Sequence, residues 1–499
     1  MKIKHNPKLY EINTAVWLHE LSSEYGKDLT IGKVPPEKWD ELKEFGFDYI
    51  WLMGVWKRSK AGLEIFRRGY EYASFQRLLD SILPGWTDDD LIGSPYSIAE
   101  YSPDSIIGNW RSIDKARAEL NKRGMGLILD FVPNHTALDH PWVYKHPDYY
   151  IQGSGQDFKK NPSLYSVINN RGETSYLARG KDPYFLPWTD TVQLNYFNPE
   201  MRSALFKEIK KIAKHCDGVR CDMAMLVLND IFEKNWGWTR NSGYYMQSQP
   251  EFWEEAISSM PEFLFIAEAY WDTEWRLQQT GFDYAYDKRL YDRLISSSAG
   301  PINEHLKADL SFQEKLVRFI ENHDELRSAE ILNEDRLYAA AVILTTLPGL
   351  KLYHQGQMEG KKIKIPLQIR RVRHEEPDMD VRAFYEKLLH ITKTDIFRNG
   401  TWKLKETTAS VDNSFENIIA YVWKLDKKLK LIAVNISPHT CSCRISLKQE
   451  ITTSKDYILY DELNGKTYVR NAGEMSEPGL MIILEGFHAH IFDISLKNI

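Results

Sequence analysis

Cysteine is scarce in this chain. Among 499 residues there are four, Cys216, Cys221, Cys441 and Cys443, and none stands in a CxxC arrangement. That excludes a disulfide scaffold and a cysteine-rich zinc site, and predicts free thiols in a reducing compartment. A long apolar run is missing too. The longest candidate, LYAAAVILTTLPGL from Leu337 to Leu350, is interrupted by Pro348. It falls short of a membrane span and reads as a buried helix leading into a strand. There is no basic block: 64 Lys and Arg face 70 Asp and Glu, for a net charge of −6, which argues against a nucleic-acid partner. HExxH, Walker-loop and strand-linked GxGxxG patterns are absent, so zinc-protease, nucleotide and dinucleotide chemistry lack support. No internal repeat and no low-complexity segment stands out. The amino terminus, MKIKHNPKLYEINTAVW, has lysines but no apolar stretch behind them, and a cytoplasmic protein without a membrane partner is expected.

What is present is a soluble globular composition, 43% hydrophobic and 27% charged, in a chain long enough for two or three domains. Aromatics are plentiful, with 15 Trp and 27 Tyr. Their flat, amphipathic rings suit a ligand with apolar faces and polar edges, such as a sugar, as well as any large core.

From about residue 10 to 360, short β-like runs alternate with helical patterns. The strand candidates are 11–18, 49–55, 126–132, 218–224, 263–270, 282–286, 316–322 and 350–355. Helical candidates between them include PEKWDELKEF, SIDKARAELNKRG with its Gly stop, PEMRSALFKEIKKIAKH with a Pro in its first turn, and EDRLYAAAVILTT. Several strands are apolar nearly throughout, as in a parallel sheet covered by helices. Eight β-α repeats predict an α/β fold, a (β/α)8 TIM barrel, with a doubly wound sheet as the alternative. Residues 136–198, rich in Pro, Gly, Tyr and Asn, read as a subdomain inserted after strand 3. Residues 57–105 form a long second loop with a helical piece of its own. The expected division is a barrel over 1–135 and 199–398, the insertion over 136–198, and a C-terminal antiparallel β-sandwich over 399–499.

The stretch GVRCDMA, Gly218 to Ala224, sets two charges in an otherwise apolar run. Side chains alternate along a strand, so Arg220 and Asp222 share one face. Alone, that pattern fits a structural ion pair as well as a catalytic carboxylate. In a barrel, however, catalytic groups gather at the carboxyl ends of several strands. Those ends supply Asp130, Asn134 and His135 from DFVPNH, Arg220 and Asp222, Glu268 from FIAEAYW, and Asn322, His323 and Asp324 from FIENHDE.

DFVPNH, GVRCDMA, FIAEAY and FIENHD resemble, in that order, the four signature segments of the α-amylase family of glycoside hydrolases, and QLNY at Gln193–Tyr196 is similar to a fifth. YEINTAVWL, YIWLMGVW and GQMEG also look like that family, so the resemblance spans nearly the whole chain. It implies a retaining glycosidase acting on α-glucosidic bonds. Asp222, Glu268 and Asp324 would be its catalytic carboxylates, with Arg220, His135 and His323 around the sugar. The chemistry agrees: cleavage with retention needs one ionised carboxylate as nucleophile and one protonated carboxyl as acid. The guanidinium on its own face favours an ionised Asp222. The apolar neighbourhood of Glu268 favours its protonated form. Asp324 would hold sugar hydroxyls, and Tyr96, in GSPYSIAEY, resembles the family's aromatic platform beneath the reactive sugar. Asp130 would support the site from the third strand, and Arg370 and Arg371 lie where they could touch substrate.

The resemblance also implies a structural Ca2+ with Asn134 among its ligands. Many α-amylases carry a Lys-His pair three and four residues after the nucleophile, which binds the leaving side of the substrate and lends the ion a main-chain oxygen. Here those positions are Met225 and Leu226, so no cofactor is required by this reading and calcium is doubtful. The acidic TDDDL, Thr87–Leu91, reads as a solvated, capped helix start. The expected partner is an α-glucan or maltooligosaccharide, most simply an α-1,4-linked one undergoing hydrolysis. A same-family transglycosidase or sugar phosphorylase is the alternative, and a non-catalytic sugar-binding protein a remoter one.

Overall fold

The computed structural model describes residues 4–170, 172–239, 249–332 and 334–497. Eight parallel strands close into a barrel: β1 (Lys8–Asn13), β2 (Tyr49–Met53), β3 (Gly126–Phe131), β4 (Gly218–Cys221), β5 (Leu264–Ala267), β6 (Tyr284–Tyr286), β7 (Leu316–Arg318) and β8 (Leu350–His354). Each strand pairs with its sequence neighbour, and β8 returns to β1, so the sheet has no edge. The predicted barrel is present, and the doubly wound alternative is not.

The strand boundaries differ from those expected, for local reasons. The run 11–18 was expected to be strand throughout, yet β1 ends at Asn13, whose Oδ1 accepts from the Val16 amide and caps a helix over Thr14–Tyr25. Strands β4 and β5 end at Cys221 and Ala267, so Asp222 and Glu268 stand one residue beyond them, on the loop rim. The helix over Pro199–Ile212 begins with its proline and is capped by Asn198, which accepts from Glu200. The helix over Glu334–Thr346 feeds β8 through Gly349, where φ is +101° and a Cβ would run into the Leu316 carbonyl oxygen.

The stretch after β3 carries a three-stranded antiparallel sheet of Gln152–Gly153, Glu173–Ala178 and Tyr165–Asn170, in that order, with short helices at Pro141–Lys145 and Gly155–Lys160. The second loop holds two helices, Lys60–Arg68 and Tyr72–Ile82, and a strand pair, Trp56–Arg58 with Ile98–Pro103. Beyond residue 400, a six-stranded and a three-stranded antiparallel sheet enclose a second apolar core, into which Cys441 and Cys443 both pack. This part is fastened to the barrel through Thr346, which hydrogen-bonds the Tyr421 hydroxyl at 2.6 Å and accepts from Trp423 Nε1 at 2.7 Å. All four cysteines are unpaired and buried. Among the described residues, no helix is long and apolar enough to cross a membrane.

Candidate active site

The loop rim of the barrel gathers its charges around Arg220. The side chain points inward from β4 and has no exposed surface. Its guanidinium is boxed by the rings of Trp51, Tyr96 and Tyr286, with centroids 5.3, 5.5 and 5.6 Å away. Nη1 donates to Asp222 Oδ1 at 2.7 Å, and Nη2 lies 2.9 Å from Glu268 Oε1 and 3.9 Å from Asp324 Oδ2. Three carboxylates from three strand ends thus converge on one cation. The sequence reading gave Arg220 to Asp222 alone, but the bend after Cys221 and the shortness of β5 bring Glu268 to the other end of the fork.

Glu268 is held at both oxygens. Oε2 accepts from the Met223 amide at 2.6 Å and Oε1 from the Tyr270 hydroxyl at 3.0 Å. Met223 takes the left-handed conformation, φ +44°, to direct that amide, an unusual geometry for a side chain of its size. Burial raises the Glu268 pKa to about 7, against the pull of Arg220. Burial also pushes Asp222 up, opposed by the Arg220 charge and hydrogen bond, so its ionisation depends on that one guanidinium more than the sequence suggested. Asp324 differs. Its side chain is 39% exposed, the most open of the three, and despite desolvation His323 and Arg220 hold it well below the usual carboxylate range.

His323 lies between Asp324 Oδ2, 3.0 Å from its Nε2, and Glu11, at its Nδ1. The Tyr96 hydroxyl is 2.7 Å from the same Nε2, and the two rings stack at 5.3 Å. His135 is buried against Trp188, with Nε2 3.2 Å from the Tyr96 carbonyl, and burial lowers it to about 4, a neutral ring. Asp130 braces the floor: it accepts from Trp51 Nε1 at 3.0 Å and from the Gly54 amide at 2.7 Å. Asp130, His135, Arg220, Asp222, Glu268, His323, Asp324 and Tyr96 therefore belong to one connected cluster, and Asn134 touches its edge, with Nδ2 3.4 Å from His135 Nδ1. Glu11, Trp51, Tyr270 and Tyr286 were missed. Glu11 and Trp51 lie within strands rather than at their ends, where polar residues were sought, and only the alternation of faces along β1 and β2 signals them.

Asn134, the expected calcium ligand, is engaged by Gln193. Its Oδ1 accepts from Gln193 Nε2 at 3.0 Å, so the two side chains form a neutral amide pair. Among the described residues, no group of three or more His, Cys, Asp or Glu side chains is arranged to hold a metal. Met225 and Leu226 are both buried, out of reach of a ligand. TDDDL is the capped helix start expected, a short 3-10 turn over Asp88–Asp90 behind Thr87 with Asp88 and Asp89 exposed, but Asp90 departs from it: it is buried and forked by Arg371, whose Nε and Nη2 donate to its two oxygens at 2.8 Å. That pairing also takes Arg371 away from substrate.

A model of the α-amylase catalytic domain matches residues 36–420. The chain belongs to the α-amylase family. This α-amylase-family enzyme is 25% identical over 356 residues to alpha-amylase 3 of Dictyoglomus thermophilum, covering 65% of this chain and 60% of that protein. It is also 25% identical to a 4-alpha-glucanotransferase of Thermotoga neapolitana over 344 residues, 64% of this chain and 65% of the relative. A third likeness, to an oligo-1,6-glucosidase of Parageobacillus thermoglucosidasius, is 25% over 201 residues, 38% of this chain and 30% of the relative. The enzyme thus spans only part of the length of these relatives. Among solved structures, the maltogenic alpha-amylase AmyB of Thermotoga neapolitana superposes with a TM-score of 0.69 at 20% identity, covering 99% of both chains, which shows a shared fold.

Exposed apolar side chains stand on a loop that meets the segment following Glu268. Tyr184, Phe185 and Leu186 are 67%, 75% and 72% exposed, on a loop pinned by Asp182, whose Oδ1 accepts from the amides of Tyr184 and Phe185. Tyr184 meets Trp271, three residues past Glu268, edge to face at 5.0 Å.

Proposed function

We propose that this enzyme cleaves α-glucosidic bonds in α-1,4-linked oligosaccharides by a retaining double displacement. The observation that carries the reading is the sharing of Arg220 between Asp222 and Glu268. A retaining site needs two carboxyl groups only ~5–5.5 Å apart, one ionised and one protonated. A single fork that grips both keeps them close, and its direct hydrogen bond favours charge on Asp222.

Asp222 attacks the anomeric carbon while Glu268 gives its proton to the departing glycosidic oxygen, leaving a glucosyl ester on Asp222 and an ionised Glu268. Glu268 then takes a proton from water, whose oxygen displaces Asp222 and restores the starting configuration. Asp324, open and ionised, takes sugar hydroxyls and offsets the positive charge that develops on the ring. Tyr96 and His323 form the wall against the reactive sugar, with His135 behind them. No step requires a metal. The four unpaired thiols are in keeping with a cytoplasmic enzyme.

A second reading, transfer to a sugar or phosphate instead of water, is supported by the likeness to a glucanotransferase and by the lack of the Lys-His pair at Met225 and Leu226. One experiment separates the two. A maltooligosaccharide of defined length is incubated with and without phosphate, with Asp222→Asn as control, and products are read by mass spectrometry and anomeric NMR. Shorter sugars released first as the α-anomer establish the retaining hydrolase. Longer sugars or a sugar phosphate move the assignment to transfer, and β-anomers overturn retention.

A further inference from the structure

Glu11 is fully buried within β1, and the roles above do not use it. One carboxylate oxygen, Oε1, faces Nδ1 of His323, and the other has no hydrogen-bond partner. Across the ring, Nε2 lies 3.0 Å from Asp324 Oδ2 and 2.7 Å from the Tyr96 hydroxyl. A ring nitrogen without hydrogen presents a lone pair, which a carboxylate oxygen repels, whereas an N–H donates to it. Neutral imidazole has a single N–H. A ring with a carboxylate at each nitrogen donates to both as the imidazolium, whereas the neutral ring, with its N–H toward Glu11 and Nε2 accepting from the Tyr96 hydroxyl, would set a lone pair against Asp324 Oδ2 at 3.0 Å.

We propose that Glu11 is a positioning residue of this site, holding His323 as a fixed imidazolium whose Nε2–H is directed at Asp324. The groups around the pair agree. Asp130 from β3 adds negative charge, and Arg220 from β4 is engaged by Asp222 and Glu268. Tyr286 from β6 and His354 from β8, opposite Glu11 in register, are both kept neutral by burial. Burial would lower the His323 pKa, but Asp324 and Glu11 outweigh it and raise it to about 10. The consequence is a cation beside Asp324 that persists through the neutral range and keeps that carboxylate ionised. Its value to catalysis rests on the glycosidase reading; the state of the ring does not.

The test is the titration of His323 by 15N NMR in histidine-labelled enzyme, assigned with His323→Gln, beside the pH profiles of kcat and KM. Wild-type His323 is expected to stay doubly protonated from about pH 5 to about pH 9. Glu11→Gln keeps a hydrogen-bond acceptor but removes the charge, so the ring should lose its proton within that window. Its kcat should then fall about tenfold on the alkaline side while KM changes little, and Glu11→Asp should restore the wild-type profile in part. A wild-type ring that deprotonates near its ordinary value, or an unchanged titration in Glu11→Gln, overturns the proposal. Should Glu11→Gln fail to fold, the wild-type titration decides alone. Should the enzyme turn over no glucan, the reaction assignment fails while the titration still rules on Glu11.

Discussion

Nη2 of Arg220 stands 2.9 Å from Oε1 of Glu268, while Nη1 of the same fork donates to Asp222. Arg220→Lys tests what that geometry does. Lysine brings one point charge and cannot span both carboxylates as a planar fork does. The variant should fold and lose about 10²–10³-fold in kcat/KM, because one carboxylate is left desolvated without its cation. Activity within a few-fold of wild type would remove Arg220 from the mechanism.

Asp222→Asn and Glu268→Gln should each reduce turnover of maltooligosaccharides by about 10³-fold or more without changing the melting temperature greatly. They differ on α-maltosyl fluoride, whose leaving group needs no proton. Glu268→Gln should still release fluoride in a first turnover, and Asp222→Asn should not. The reverse pattern would exchange the two assignments.

The raised Glu268 carboxyl dictates the alkaline limb of activity. Its proton is present below about pH 7 and lost above it, so kcat/KM should fall as pH rises through about 7, with Glu268→Gln lacking that limb. Stability carries the same sign for this group: its contribution is complete below the ordinary value of 4.5 and lost as pH rises through about 7. A pH-independent kcat/KM between about pH 6 and pH 9 would contradict the assignment.

Two buried carboxylates set the acid limb of stability with the opposite sign. Burial would raise both, but His305 and Arg318 lower Asp287 to about 2, and Arg327 and His354 lower Glu321 to about 2. Their stabilisation is complete above the ordinary carboxylate range and lost as pH falls toward about 2, on the order of 2–3 kcal/mol for each group. Thermal melts between about pH 2 and pH 6 should show that slope. Glu321→Gln should be less stable at neutral pH, with a shallower acid limb.

Trp271, three residues past Glu268, meets Tyr184 edge to face, and both rings are exposed. Trp271→Ala should raise KM for long maltooligosaccharides about fivefold, in line with about 1 kcal/mol of aromatic contact, and leave the shortest substrate unaffected. Equal effects on all lengths would assign Trp271 to packing.

Local pattern made much of this legible. Alternation along GVRCDMA set Arg220 and Asp222 on one face, and their 2.7 Å contact follows from it. The helix over Glu334–Thr346 begins and ends where its sequence pattern does. Patterning failed where two local rules competed, as at Asn13, whose capping of a helix overrode the apolar run behind it. It failed again at Asp90 in TDDDL, which looks as solvated as Asp88 and Asp89 until Arg371, 281 residues away, is placed against it.

By itself the sequence determined the eight strands, their order and the side chains at their ends, because strand and helix periods are short-range properties of the chain. Only the tertiary structure decided how those charges are shared. Arg220 serves Glu268 as well as Asp222, Asn134 is bound by Gln193, and Glu11 reaches His323 across 312 residues. Each depends on barrel closure, which sets β8 against β1 in a definite register and leaves a few ångströms between groups remote along the chain. Electrostatics at that range is governed by distance and burial, and neither is a property of any single segment.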